Sequence, residues 1–125
     1  MKGYPQQLLQ YFYHLEHAGE LTAAPIYVME QGTVEQGDIV RFYVKLENQR
    51  IIQARFKAYG SVAIIAGGEY VCRWLEGKNI QEAAEIQASQ ILTALGLSSL
   101  KNHTAVLLTQ CVGKLIQRMY ADAKK

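Results

Sequence analysis

The chain has 125 residues, of which 50% are hydrophobic and 19% are charged, and its formal net charge is +2. This composition excludes a disordered chain, and the length suits a single domain, residues 1–125, that buries a core without disulfides. The small net charge gives no support by itself for a polyanionic partner, and no apolar run approaches the ~20 residues of a membrane span. We expect a cytoplasmic protein with reduced cysteines.

The first predicted helix spans residues 5–19. Its apolar side is formed by Leu8, Tyr11, Phe12 and Leu15. His14 and His17 lie three residues apart within this helix, so both side chains could face one metal ion. No third ligand is nearby in the sequence, and we interpret the pair as solvated helical histidines.

A three-stranded antiparallel sheet is predicted next. Residues 40–46 and 52–58 alternate apolar and polar side chains, as in a β-hairpin with one buried face. The inward residues are Val40, Phe42, Val44, Leu46, Ile52, Ala54, Phe56 and Ala58. Residues 24–29 are β-prone and predict the first strand, placed at an edge because Pro25 cannot donate a ladder hydrogen bond.

The outward face of the hairpin mixes cations with aromatic side chains. Its members are Arg41, Lys45, Arg55, Lys57, Tyr43 and Tyr59. Such a mixture can bind single-stranded nucleic acid, but it is equally typical of a solvated antiparallel sheet. Because the net charge is small, we favour the solvated face and keep a nucleic-acid-binding module as an alternative.

The second half of the chain predicts helices. Ser61 is the expected N-cap of a helix over residues 61–76, two short helical segments follow at 79–85 and 89–95, and a last helix covers 102–120. Cys72 and Cys111 lie on the apolar stripes of two of these helices, so we interpret both as buried packing residues. The predicted fold class is α+β, with helices packed on one face of the sheet and a flexible tail at about 120–125.

Four segments carry a family resemblance. They are Gly37-Asp38, ARFKAYG at 54–60, WLEGK at 74–78, and Lys101 with His103. In order and spacing they resemble the iron–sulfur cluster scaffold family of the IscU proteins and the NifU N-terminal domain. The resemblance covers about residues 11–120. It implies the same α+β fold and a role in iron–sulfur cluster assembly.

The resemblance also implies where cluster ligands belong. The family carries one cysteine just before Gly-Asp, one just after Tyr-Gly and one just after the histidine of the last helix. This chain has Gln36, Ser61 and Thr104 at those positions. An amide and two neutral hydroxyls are poor iron ligands and cannot accept sulfur as a persulfide, so we expect no intact cluster.

Asp38 and His103 remain as candidate metal ligands at this site. One carboxylate and one imidazole make at most half of a tetrahedral zinc site, with Glu35 or water completing it. Weak binding of zinc or iron is therefore an alternative function. Ser61 lacks the G-x-S-x-G context of a hydrolase nucleophile, so we expect a protein that is not an enzyme.

The function that we expect is that of a degenerate, scaffold-like protein of iron–sulfur cluster assembly. The resemblance implies a cysteine desulfurase or another cluster-assembly protein as its partner. Without the ligand cysteines, such a protein is expected to act as a non-catalytic accessory module. The oligomeric state is not defined by the sequence.

Overall fold

The computed structural model describes residues 3–123 of the chain. Within this range three β-strands form one sheet and five α-helices surround it. The elements are α1 (Gln6–Phe12), β1 (Ile26–Thr33), β2 (Asp38–Glu47), β3 (Arg50–Tyr59), α2 (Val62–Leu75), α3 (Ile80–Ala83), α4 (Ala88–Leu95) and α5 (Asn102–Ala123), with a short 3₁₀ helix, Ser99–Lys101, before α5.

The sheet confirms the predicted fold class. β2 lies in the centre and pairs antiparallel with β1 on one side and β3 on the other. Helix α2 packs against β3 and β2, and helix α5 packs against β1 and β2. Phe42 and Val44 on β2 and Leu108 on α5 are fully buried between these layers. The chain is therefore an α+β domain with its core on one face of the sheet.

The β-hairpin contains an irregularity that strict alternation did not predict. Lys45 pairs with Gln53, but the next residue, Leu46, pairs with Ile51, so the register shifts between them. The shift turns Ile51 into the core, where it is fully buried, and leaves Ile52 exposed. The prediction that Ile52 points inward was wrong because a bulge reverses the faces of the residues beyond it.

The segment after α1 is extended, not helical. Helix α1 ends at Phe12, and the predicted continuation to residue 19 was wrong. The Phe56 amide donates to the His17 carbonyl at 3.0 Å, and the Gly19 amide donates to the Phe56 carbonyl at 2.8 Å. This parallel bridge covers the otherwise open edge of β3, where unpaired backbone groups would be costly.

The ends of the long helices also refine the prediction. Helix α5 continues to Ala123, three residues beyond the end at residue 120 that the apolar pattern predicted. Met119 is fully buried. A side-chain hydrogen bond joins Tyr27 on β1 to Asp122 in the last turn of α5; burial raises the pKa of Tyr27, and this bond raises it further. Residues 124 and 125 lie outside the described residues.

None of the helices within residues 3–123 has the length and apolar character that a membrane crossing requires.

Two helical glycines provide a test of how tightly the layers pack. A Cβ at Gly68 of α2 would meet the ring of Phe56, whereas a Cβ at Gly113 of α5 would meet open space. We predict that Gly68→Ala lowers the free energy of unfolding by about 1 to 3 kcal/mol through overpacking. Gly113→Ala is the matched control and should raise it by about 0.5 to 1 kcal/mol through helix propensity. Urea denaturation measures both, and equal effects would contradict this packing.

Candidate polar site at the end of the sheet

The five residues singled out in the sequence gather at one end of the sheet. Asp38 begins β2, Ser61 precedes α2, and His103 and Thr104 lie in the first turn of α5. A cavity of about 360 Å³ is lined by Gln36, Asp38 and His103. A second cavity, of about 180 Å³, is lined by Ser61, His103 and Thr104. His103 therefore stands between two adjoining cavities, and the structure brings all five positions together.

The Asp38 carboxylate binds the residue that precedes α2. Its Oδ1 accepts a hydrogen bond from the Ser61 amide at 2.8 Å, and its Oδ2 accepts one from the Ser61 hydroxyl at 3.2 Å. The Ser61 oxygen in turn accepts from the Ile64 amide at 3.1 Å, which confirms the predicted N-cap. Asp38 thus supports the neighbouring helix and not its own turn, and both carboxylate oxygens are already engaged.

A glycine makes this close approach possible. Gly60 has a φ of +133°, and a Cβ there would collide with the Asp38 carboxylate and with the Gly37 carbonyl. Any other residue would push the end of β3 away from the start of β2. The contact between Asp38 and Ser61 therefore depends on Gly60.

The donor set of this site does not fit an iron–sulfur cluster. Among residues 3–123, no three His, Cys, Asp or Glu side chains converge on a position that could hold a metal ion. Glu35 accordingly supplies no third ligand to the pair of Asp38 and His103. The remaining groups are an amide and two hydroxyls, which do not replace the thiolates that iron bridged by sulfide requires.

Both thiols lie in the core, as the apolar stripes predicted. Burial raises the pKa of Cys72 well above its ordinary value. Burial also raises the pKa of Cys111 to about 12, and its Sγ donates to the Met29 carbonyl at 3.3 Å. Neither residue lines the two cavities. Because the thiolate is the reactive form, both cysteines are inert packing residues.

The outward face of the sheet is a network of ion pairs. Arg41 lies 2.8 Å from Glu30, and Lys57 lies 2.9 Å from Glu20. Arg55 lies 3.1 Å from Glu76. These acidic partners neutralise the charges that a phosphate backbone would need. The structure therefore gives no support to a nucleic-acid interface. The prediction that Tyr43 lies on a solvated face was wrong, because Tyr43 is only 5% exposed and its hydroxyl is held by Arg41 and Glu20.

The prediction that His17 is a solvated helical histidine was wrong. His17 lies beyond the end of α1 and belongs to a partly buried charged cluster, which we call the His17 cluster. His17 Nδ1 lies 2.7 Å from Glu69 Oε2, and His17 Nε2 lies 2.8 Å from Glu76 Oε1. The imidazole therefore bridges the two carboxylates, one at each ring nitrogen. Glu69 is fully buried. The only sequence signal was one acidic residue within an otherwise apolar part of α2.

The two carboxylates of the His17 cluster are stabilised in their ionised forms. Burial raises the pKa of Glu69, but hydrogen bonds from Arg73 and His17 outweigh it, and the pKa lies below its ordinary value of 4.5. Burial likewise raises the pKa of Glu76, yet bonds from the Ala54 amide and His17 lower it overall. The cluster therefore joins the segment after α1 to α2 and β3 through charge.

Comparison with solved structures defines the class of protein. The chain superposes on a SufU-type putative iron–sulfur cluster assembly scaffold from Fervidobacterium islandicum with a TM-score of 0.73 and 17% identity, covering 90% of this chain and 96% of that chain. It superposes on the N-terminal NifU-like protein of Brucella abortus with a TM-score of 0.73 and 12% identity, covering 94% of each chain. The fold is that of NifU-like and SufU-like scaffold proteins.

Sequence comparison identifies the family. The model of the NifU-like N terminal domain matches residues 3–125, so the chain belongs to this family of iron–sulfur cluster assembly scaffolds. The scaffold protein IscU of Azotobacter vinelandii is 29% identical over 125 residues, which is 98% of this chain and 97% of that protein. IscU of Escherichia coli K12 is 34% identical over 77 residues, or 61% of this chain and 60% of that protein. The resemblance seen in the sequence is confirmed.

The Ser61 cap leads to a prediction about stability. Ser61→Ala removes the acceptor for the Ile64 amide and one of the donors to Asp38, so the free energy of unfolding should fall by about 1 kcal/mol. Ser98 precedes the 3₁₀ helix, but its side chain makes no capping bond, so Ser98→Ala is a matched control. Similar losses in both variants on urea denaturation would show that the Asp38 contact does not hold α2.

The His17 cluster leads to a prediction about pH. Because the folded-state pKa values of Glu69 and Glu76 lie below 4.5, their contribution to stability is complete above that value and is lost as the pH falls through the folded-state values. The urea midpoint of the parent chain should fall between about pH 5 and pH 3, and the midpoint of the Glu76→Gln variant should fall less over the same range. Glu85→Gln, at an exposed position, should follow the parent chain. Identical pH profiles for all three chains would contradict the prediction.

Proposed function

We propose that this chain is an accessory, non-enzymatic member of iron–sulfur cluster assembly that binds an assembly partner and does not build a cluster. The observation that carries the proposal is the position of its thiols. Cys72 and Cys111 are the two cysteines of the chain, and both are buried in the core. The positions that the resemblance assigns to cluster ligands hold Gln36, Ser61 and Thr104 instead.

The chemistry of cluster assembly supports this assignment. A scaffold needs thiolates to hold iron and one accessible thiol to take sulfur from a desulfurase. At this site Ser61 is occupied as a helix cap, and Thr104 is almost completely buried. The chain therefore retains the family fold without the groups that would perform either step.

Exposed apolar side chains at the site end of the sheet support partner binding. Leu100 is 91% exposed, Val34 is 67% exposed and Tyr59 is 65% exposed. They belong to the 3₁₀ helix before α5, the turn between β1 and β2, and the end of β3. These three exposed apolar groups at the same end of the sheet are our support for a protein interaction site there. We propose that a cysteine desulfurase or another cluster-assembly protein covers this end of the molecule.

Weak binding of zinc or iron is the second candidate function. Its support is the cavity of about 360 Å³ that Asp38 and His103 line together. Metal binding there would have to compete with the two hydrogen bonds between Asp38 and Ser61, and water would have to complete the coordination. This competition is the reason for ranking the metal function second.

Anaerobic reconstitution with ferrous iron and sulfide tests the loss of cluster assembly. We predict that the desalted protein shows neither a cluster absorption spectrum nor stoichiometric iron or zinc. A stable coloured cluster would refute the proposal. Stoichiometric metal without a chromophore that disappears in Asp38→Ala and His103→Ala would favour the second candidate.

Partner binding is tested with the same chain and a cysteine desulfurase. The complex should survive simultaneous Cys72→Ala and Cys111→Ala substitution, because neither thiol reaches the surface. Leu100→Glu should weaken it roughly tenfold or more if Leu100 is an interface anchor. Ile52→Glu is the control, since Ile52 is also exposed but lies near the opposite end of β3. Equal binding by both Glu variants would remove this surface from the proposal.

A further inference from the structure

The smaller cavity of the polar site has an apolar wall that the accessory role does not use. Its volume is about 180 Å³, and it lies between the segment that begins α1 and the first turns of α2 and α5. The wall is built by Pro5, Leu8, Ala63 and Leu97. This volume is below the roughly 300–1,000 Å³ of pockets for drug-sized ligands, so it suits a small organic molecule.

Three polar side chains that also line this cavity are available to a ligand. Thr104 is only 3% exposed, yet its hydroxyl makes no hydrogen bond within residues 3–123. Its oxygen is not sealed from solvent, and Thr104 lines this cavity. Lys101 and His103 line the same cavity, and their side chains make no ion pair or hydrogen bond in the described part of the chain. The Thr104 hydroxyl and the nitrogen donors of Lys101 and His103 are therefore available to a ligand in this cavity.

The charge of the cavity selects the type of ligand. No aspartate or glutamate is among the described residues that line it, whereas Lys101 contributes a positive charge. The first turn of the long helix α5 faces it and adds a positive partial charge. Ser61 cannot donate to a ligand because its hydroxyl hydrogen is given to Asp38. The preferred ligand is therefore an anion seated on the Lys101 and Thr104 side.

We propose that this cavity binds a small amphipathic monocarboxylate. The carboxylate accepts hydrogen bonds from Lys101, His103 and the Thr104 hydroxyl, and the apolar body of the ligand packs on Leu8 and Leu97. One negative charge matches one lysine, and the apolar wall excludes a ligand that is charged all around, such as inorganic phosphate. This inference does not rest on the accessory role, because it needs neither a partner protein nor a cluster.

Benzoate is the probe, added to the full ¹⁵N-labelled chain while amide chemical shifts are recorded. We expect saturable shifts at Ala63 and at residues 101–104. Benzyl alcohol has nearly the same shape but no charge, and it should bind roughly tenfold more weakly or worse because hydrogen bonds to an ionised group are lost. No saturable shift with benzoate, or equal binding of both compounds, would overturn the proposal.

Substitutions of the lining residues test where the carboxylate of benzoate binds. Lys101→Gln and Thr104→Val should each weaken benzoate binding by roughly fivefold to tenfold. Lys114→Gln is the matched control, since Lys114 is exposed on the same helix but does not line the cavity. Thr104→Val removes a hydroxyl without a partner, so its melting temperature should equal or exceed that of the parent chain. Equal weakening in Lys114→Gln would show that only surface charge is measured and would overturn the site.

Two competitors separate the possible ligands. Inorganic phosphate should not displace benzoate, and displacement at equal concentration would overturn the amphipathic assignment. A tripeptide with a free C-terminal carboxylate distinguishes the two sources of the proposed group. Failure of the tripeptide to compete assigns the cavity to free small acids, and competition assigns it to the carboxylate at a chain end.

Discussion

The hydrogen bonds between the Asp38 carboxylate and Ser61 determine the arrangement of the whole site. They fix the first residue of β2 against the N-cap of α2, and Gly60 permits the approach. Helix α5 packs on α2 and on the sheet, so its first turn, with His103 and Thr104, is held at the same end. The two cavities follow from this arrangement. A carboxylate that performs this structural role is also a poor candidate for binding metal, because ligation would release the start of α2.

The His17 cluster holds the segment after α1 at the edge of the sheet. Glu69 is a fully buried charge, and it is tolerated because His17, Arg73 and two backbone amides donate to it. The same histidine reaches Glu76, which also accepts from the Ala54 amide on β3. Charge pairing thus places the segment after α1 as a parallel extension of β3. This covers the edge strand.

The sequence was informative where one local rule decided the outcome. The period-2 pattern predicted the sheet, the position of Ser61 before an apolar helix predicted its cap, and the apolar stripes predicted that both cysteines are buried. Prediction from the sequence failed where a partner distant in the sequence determines the conformation. Ile51, and not Ile52, lies in the core because of a bulge. The segment around His17 is not helical because Glu69 and the edge of β3 bind it. No local pattern encodes a partner more than fifty residues away.

In the candidate site, the fold determines which positions lie together, and the side chains at those positions determine which ligand can bind. Convergence at the end of the sheet follows from the Asp38 contact and the packing of α5, so any residues at positions 36, 61 and 104 meet there. Their chemistry then sets what the site can hold. Soft thiolates at such positions suit iron and sulfide, whereas the Thr104 hydroxyl beside Lys101 is a hydrogen-bond donor and not an iron ligand of that kind. A change of donor type at these positions, with the fold unchanged, therefore changes which ligand the site can hold.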